Sequence, residues 1–151
     1  MDNDDIIDTL NDLIETSKDG EYGFRSSAEY IRDPQVKQLL MNRADECTRA
    51  VTELQALVVQ CGGKPEDSGS AAAALHRGWV AVKGKLSGYS DTAILEETER
   101  GEDVAMASYR KALKSDLPPQ VLTVVERQFE GVKRNHAQVR ELRDRARAAK
   151  A

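Results

Sequence analysis

The sequence predicts an all-α protein. It reads as a bundle of four long helices arranged as two antiparallel hairpins, joined by a long crossover that holds a short helix of its own. Three observations predict this. Four stretches place apolar residues at three- and four-residue spacing, the period of an amphipathic helix. All four prolines fall between those stretches or at their starts. The chain is 32% charged and only 5% aromatic, a mix rich in Ala, Leu, Glu and Arg that suits helices.

With 151 residues, one domain spanning 1–151 with one sizeable core is expected. The first helix should run from about 4 to 31, capped by Asp2 or Asn3. Its apolar face is Ile6, Leu10, Leu13, Ile14, Phe24, Ala28 and Ile31. Ser17 and Glu21 interrupt that face, and Gly20 and Gly23 bracket Glu21. Glycine inside a helix costs roughly 1 kcal/mol relative to alanine. Two around an acid on the apolar face therefore point to close helix approach or a local irregularity.

Asp33-Pro34 starts the second helix, about 34–61, with an N-cap followed by proline at the first helical position. Gly62-Gly63-Lys64-Pro65 ends it. Arg43 projects at the edge of its apolar face, and Glu46 lies on a flank. The two cysteines, Cys47 and Cys61, share this helix about 21 Å apart, beyond disulfide reach. The connector helix is expected at about 70–86, with Trp79 as its apolar anchor.

The third helix, about 91–115, is the most informative. Leu95, Glu102, Met106, Tyr109 and Leu113 share one face, and Glu99 lies on its margin. A row of small residues, Thr98, Gly101, Ala105, Ser108 and Ala112, runs beside them and lets another helix come close. A carboxylate facing a helical core must be paired, hydrogen-bonded or metal-bound, so the partner of Glu102 is the functional question. The fourth helix, about 118–148, turns Val121, Val125, Gln128, Phe129, Val132, His136 and Val139 inward. Beyond Leu142 the apolar pattern fades, which predicts a solvated, fraying end.

Charge is uneven around a net of −4. Residues 1–33 carry ten acids against three bases, and residues 126–151 carry eight bases against four acids. Helix-dipole matching explains both ends, and a basic tail that docks a partner is the alternative. Overall acidity argues against nucleic acid as a partner. No run approaches the roughly 18 apolar residues of a membrane span, so no membrane partner is expected. The acidic N-terminus lacks signal-peptide character, which makes a cytoplasmic location the expectation.

Several segments carry a family resemblance: Asp19–Phe24 (DGEYGF), Leu75–Lys83 (LHRGWVAVK), Leu95–Leu113, and Gln128, Val132 and His136 on the last helix. In these the chain resembles a bacterial family of ferritin-like four-helix-bundle proteins known as a domain of unknown function. The resemblance implies a ferritin-like fold and no established activity. Wider ferritin-like di-metal proteins carry Glu on two helices and Glu-x-x-His on the other two. Here Glu21 matches the first-helix carboxylate, and the third helix offers Glu99 and Glu102. Arg49 stands where the second helix needs His after Glu46, and Lys133 stands where the fourth needs Glu before His136.

Two readings of the mid-bundle residues compete. In one, Arg43 neutralises the carboxylates and His136 hydrogen-bonds within a polar core layer. In the other, Glu21, Glu99, Glu102 and His136 bind one metal or a weakened pair, with iron, manganese or zinc suited to those donors. A small-molecule pocket is a third use of the same layer. The leading expectation is a non-catalytic bundle without a cofactor, acting through protein contacts as a homodimer or other homo-oligomer. The alternative is a metal-binding oxidoreductase or iron-handling protein.

Overall fold

The computed structural model describes residues 2–65, 88 and 90–150. They form α1 (Asn3–Tyr30), α2 (Pro34–Gln60), α3 (Asp91–Leu113) and α4 (Pro119–Lys150). The expected connector helix, with Trp79, lies outside the described residues.

The caps act where the sequence puts them. The Asp2 carboxylate accepts from the Asp5 N–H, Asp33 from Gln35 and Val36, and the Ser90 hydroxyl from Ala93. Gly62 takes φ +81°, the left-handed conformation that ends α2 at little steric cost.

Each neighbouring pair of helices runs antiparallel. Arg25 on α1 reaches Asp45 on α2, and Tyr109 on α3 reaches Gln128 on α4. Thr16 and Ser27 on α1 meet Ser108 and Thr98 on α3. This last seam uses Thr98 and Ser108 of the small-residue row, whereas Gly101 of that row is exposed and a Cβ there would meet no atom within 4 Å. Among the packed pairs α2 and α4 touch least.

The two ends of the crossover are far apart. The Asn3 and Asn11 side-chain amides donate to the carbonyls of Cys61 and Lys64, so α2 ends beside the start of α1. The Asp91 carboxylate accepts from the Arg32 and Asp33 N–H groups at 2.9 and 3.1 Å, so α3 starts beside the end of α1. The connection therefore spans the length of the bundle, about 40 Å at 1.5 Å per residue for the 27 residues of α2.

Two apolar clusters fill the interior. One holds Leu10, Leu13, Ile14, Leu54, Val58, Val121 and Val125 near the start of α1. The other holds Phe24, Ala28, Leu40, Ala44, Cys47, Ile94 and Leu95 near its end. Polar side chains lie at the level between them.

The fourth helix continues to Lys150, two residues past its expected bound, and no residue from 141 to 149 is buried, in keeping with the fading apolar pattern. Arg143 pairs with Glu99, and Arg147 pairs with Glu96 at 2.9 Å. Much of the basic tail is thus matched to acids on α3. Gly20 sits where α1 meets α2, and a Cβ there would lie 3.2 Å from Cys47 Sγ. Close helix approach is what this glycine permits.

Candidate functional site

The mid-level of the bundle is built around Glu102. Its position on the apolar face of α3 carries it to the centre, where it is 1% exposed. Arg43, carried inward by α2, donates from Nε to Glu102 Oε1 at 3.1 Å. The guanidinium is itself buried, lies 5.3 Å from the centroid of the Phe24 ring, and reaches toward Glu46 at 3.5 Å. Glu46 also accepts from the Asn135 amide at 2.8 Å, which ties α2 to α4. Burial pushes the Glu102 carboxyl above the usual range, although Arg43 and His136 pull the other way.

A second polar chain lies one to two turns away. The Tyr109 hydroxyl donates to Gln128 Oε1 at 2.8 Å and lies 3.4 Å from the Ser17 hydroxyl. Gln128 donates in turn to Glu53 at 2.8 Å. Burial raises the Tyr109 phenol to about 12, so it stays a donor at neutral pH. Cys47 is raised to about 12 by the same cause and stays a thiol.

The four anticipated metal ligands are divided by the structure. Glu21 is half-buried and pairs with Arg25, one turn along α1, at 3.2 Å. Arg25 also pairs with Asp45 on α2 at 3.0 Å, so Glu21 belongs to an ion-pair cluster between α1 and α2. His136, its side chain 13% exposed, lies at the α3–α4 edge of the same layer, with Nε2 at 2.5 Å from Asp103 Oδ1. Glu99 faces the same edge.

Glu99, Asp103 and His136 each offer an atom within 4.8 Å of the others. Sequence reasoning missed Asp103 because it falls off the apolar face of α3 and is 62% exposed. Its spacing four residues after Glu99 was the available signal. Arg143 pairs with Glu99, and Arg140 approaches it at 3.8 Å. Both cations oppose a metal at this edge.

A cavity of about 370 Å³ opens beside the Arg43–Glu102 pair, with walls from all four helices. Glu102 Oε2 is buried and has no hydrogen-bond partner among the described residues.

A family model described as a domain of unknown function, DUF2383, matches residues 5–115. The chain belongs to the DUF2383 family. No curated protein matches it. Among solved structures the bundle is similar to a dodecameric thioferritin, the bacterioferritin-related protein from Bacteroides fragilis. That likeness has a TM-score of 0.78 and 13% identity, and covers 99% of this chain and 91% of the other. At such identity it shows the fold alone. This DUF2383 member is a ferritin-like four-helix bundle.

Ferritin-like architecture raises the question of a paired metal centre at mid-bundle. The donor set of this DUF2383 chain does not fit one. A buried guanidinium occupies the level where carboxylates and imidazoles would have to converge, and it already holds one oxygen of Glu102. His136 and Glu21 are engaged elsewhere, with Asp103 and Arg25.

Proposed function

We propose that this chain works by association, as a homodimer or larger homo-oligomer, and does not carry out paired-metal redox chemistry. The observation that supports this reading is the Arg43–Glu102 pair, whose fixed cation repels divalent metal from the bundle centre. What persists of the ferritin-like plan is the bundle itself, a unit that assembles in the dodecameric neighbour. Val59 and Val104 are exposed at 61% and 58%, and offer apolar contacts to a second copy.

Sedimentation velocity over a wide concentration range tests the proposal. A concentration-dependent dimer or larger particle, weakened by Val104→Asp, is expected. A strictly monomeric particle at the highest concentration overturns it.

A second reading rests on a different observation. Glu99, Asp103 and His136 form a compact carboxylate–imidazole set that suits one zinc, manganese or ferrous ion. Elemental analysis after metal loading distinguishes the two. Near-stoichiometric metal in the parent, lost in both Asp103→Asn and His136→Ala, supports the edge site. Background metal in the parent rules it out.

A further inference from the structure

The α2–α4 seam is clasped at two levels and open between them. Asn135 donates to Glu46 at 2.8 Å, and Gln128 donates to Glu53 at 2.8 Å. On each helix the two clasps are two turns apart, about 10 Å. Between them stand Ala50 on α2 and Gly131 on α4, too small to close the seam. A Cβ added at Gly131 would meet only the Arg134 guanidinium, at 3.6 Å, and no atom of α2 within 4 Å. Both residues line the cavity of about 370 Å³, a volume in the range of small-molecule sites. The exposed Arg49 and Arg134 line it too, so the cavity reaches the surface between the clasps.

Those two arginines are the second feature. The other cations of the lining are paired, Arg43 with Glu102 and Arg127 with Glu53. Arg49 and Arg134 make no ion pair or hydrogen bond among the described residues. Helix register brings them to one place. The clasps set Arg49 level with Val132 on the facing helix, and the Arg134 guanidinium lies back over Gly131. Two unpaired cations therefore flank one mouth from opposite helices.

We propose that this cavity binds a small organic monocarboxylate with an apolar body. The carboxylate sits at the mouth between Arg49 and Arg134, and the body lies inward against a wall that is mostly carbon. Charge and shape decide the class. A carboxylate offers two oxygens in one plane, which suits a guanidinium on each side. It stays at the surface and keeps part of its hydration, so no charge is buried. A cation is repelled by the same two arginines. A dianion such as phosphate would lie between Glu46 and Glu53, the acids that frame the mouth with side chains 40% and 35% exposed. A neutral molecule leaves both guanidiniums unused.

The test is a titration of the full chain with benzoate, benzyl alcohol and acetate in turn, followed by backbone amide NMR. Benzyl alcohol lacks the charge and acetate lacks the body. Benzoate should shift Arg49, Ala50, Gly131 and Arg134. It should bind about fivefold more tightly than either other probe, the factor expected for an ion pair at an exposed site. Its advantage over benzyl alcohol should fall as salt is added, because exposed charges are screened. Arg49→Gln with Arg134→Gln should bring benzoate down to the affinity of benzyl alcohol. Both positions are exposed, so the fold should survive. Gly131→Leu should block the mouth and weaken both aromatic probes, and the open space around its Cβ lets the helix pack as before.

Four results overturn the proposal. Absence of benzoate shifts at these residues means that the mouth holds water alone. Equal affinity for benzoate and benzyl alcohol means that the arginines select nothing. Equal affinity for benzoate and acetate makes the site an anion-attracting surface with no use for the cavity. Benzoate binding unchanged in either folded variant places the ligand elsewhere. A monomeric particle, or a chain without bound metal, leaves the proposal standing, because it depends on neither association nor the α3–α4 edge.

Discussion

Arg43 and Glu102 meet at 3.1 Å in the middle of the bundle, each nearly sealed from solvent. This pair is the interior contact that most separates the chain from a metal-centred bundle. It also makes the core sensitive to the loss of either partner. Arg43→Met leaves Glu102 buried without its cation, and should destabilise the fold by about 3 kcal/mol in urea titrations at neutral pH. Arg43→Met with Glu102→Leu should recover much of that loss. The deficit of the single variant should shrink on acidification. The folded-state carboxyl is already raised by burial, and losing Arg43 raises it further. Protonation then relieves the penalty as the pH falls through that value. A single variant as stable as the parent at neutral pH would mean that the pair adds nothing net.

Asp19 carries a second pH signature. It is half-buried on α1, and burial raises its carboxyl from 3.8 to about 6. The folded state binds this proton more tightly than the unfolded chain does. Stability from this group is therefore greatest below 3.8, falls between 3.8 and about 6, and stays low above that window. Asp19→Asn should raise stability above pH 6 by about 1 kcal/mol, after discounting for solvent screening. The gain should vanish in strong acid. Thermal melts of parent and variant across the acid range measure it, and a gain independent of pH would contradict the assignment.

Gly101 tests the exposed side of α3. It lies within α3, where glycine costs roughly 1 kcal/mol relative to alanine, and an added Cβ meets no atom within 4 Å. Gly101→Ala should therefore stabilise the chain by about 0.5–1 kcal/mol in urea titrations. Gly63→Ala should do the opposite, since its Cβ would come within 2.7 Å of Ile7. Equal effects from the two changes would refute the packing described at both positions.

Much of the fold was legible because its signals are local. Asp33-Pro34 and Ser90 start helices where their side chains can cap them, and the apolar stripes fixed which faces turn inward. The burial of Glu102 followed from the period of α3, whereas the sequence leaves open whether Arg43 pairs with Glu102 or with Glu21, and the structure shows Glu102. The division of the metal set was not legible in this way. Periodicity places a Cα on a face, while long side chains choose among neighbours. Glu21 reaches Arg25 on its own helix, and His136 turns to the exposed Asp103. Nor does the period of α4 show that its weakly apolar end is held by Arg143 and Arg147 pairing with acids 44 and 51 residues away.

Tyr109 joins three helices through one hydroxyl, and its removal is the sharpest test of that polar chain. The ring is 2% exposed and stacks on Phe129 at 6.2 Å between centroids, so Tyr109→Phe keeps shape and burial. What it removes is the donor to Gln128 at 2.8 Å and the contact with Ser17 at 3.4 Å. Gln128 Oε1 is then left without that donor at the α3–α4 seam, while its amide still holds Glu53. A loss of about 1–2 kcal/mol is expected, the cost of one buried neutral hydrogen bond. Tyr109→Phe combined with Gln128→Leu should lose less than the sum of the two single changes, because the second removes the acceptor that the first abandons. Strict additivity in the cycle would show that the hydroxyl and the amide act independently, and would leave the joining of α3 to α4 to apolar packing and to ion pairs such as Arg147–Glu96.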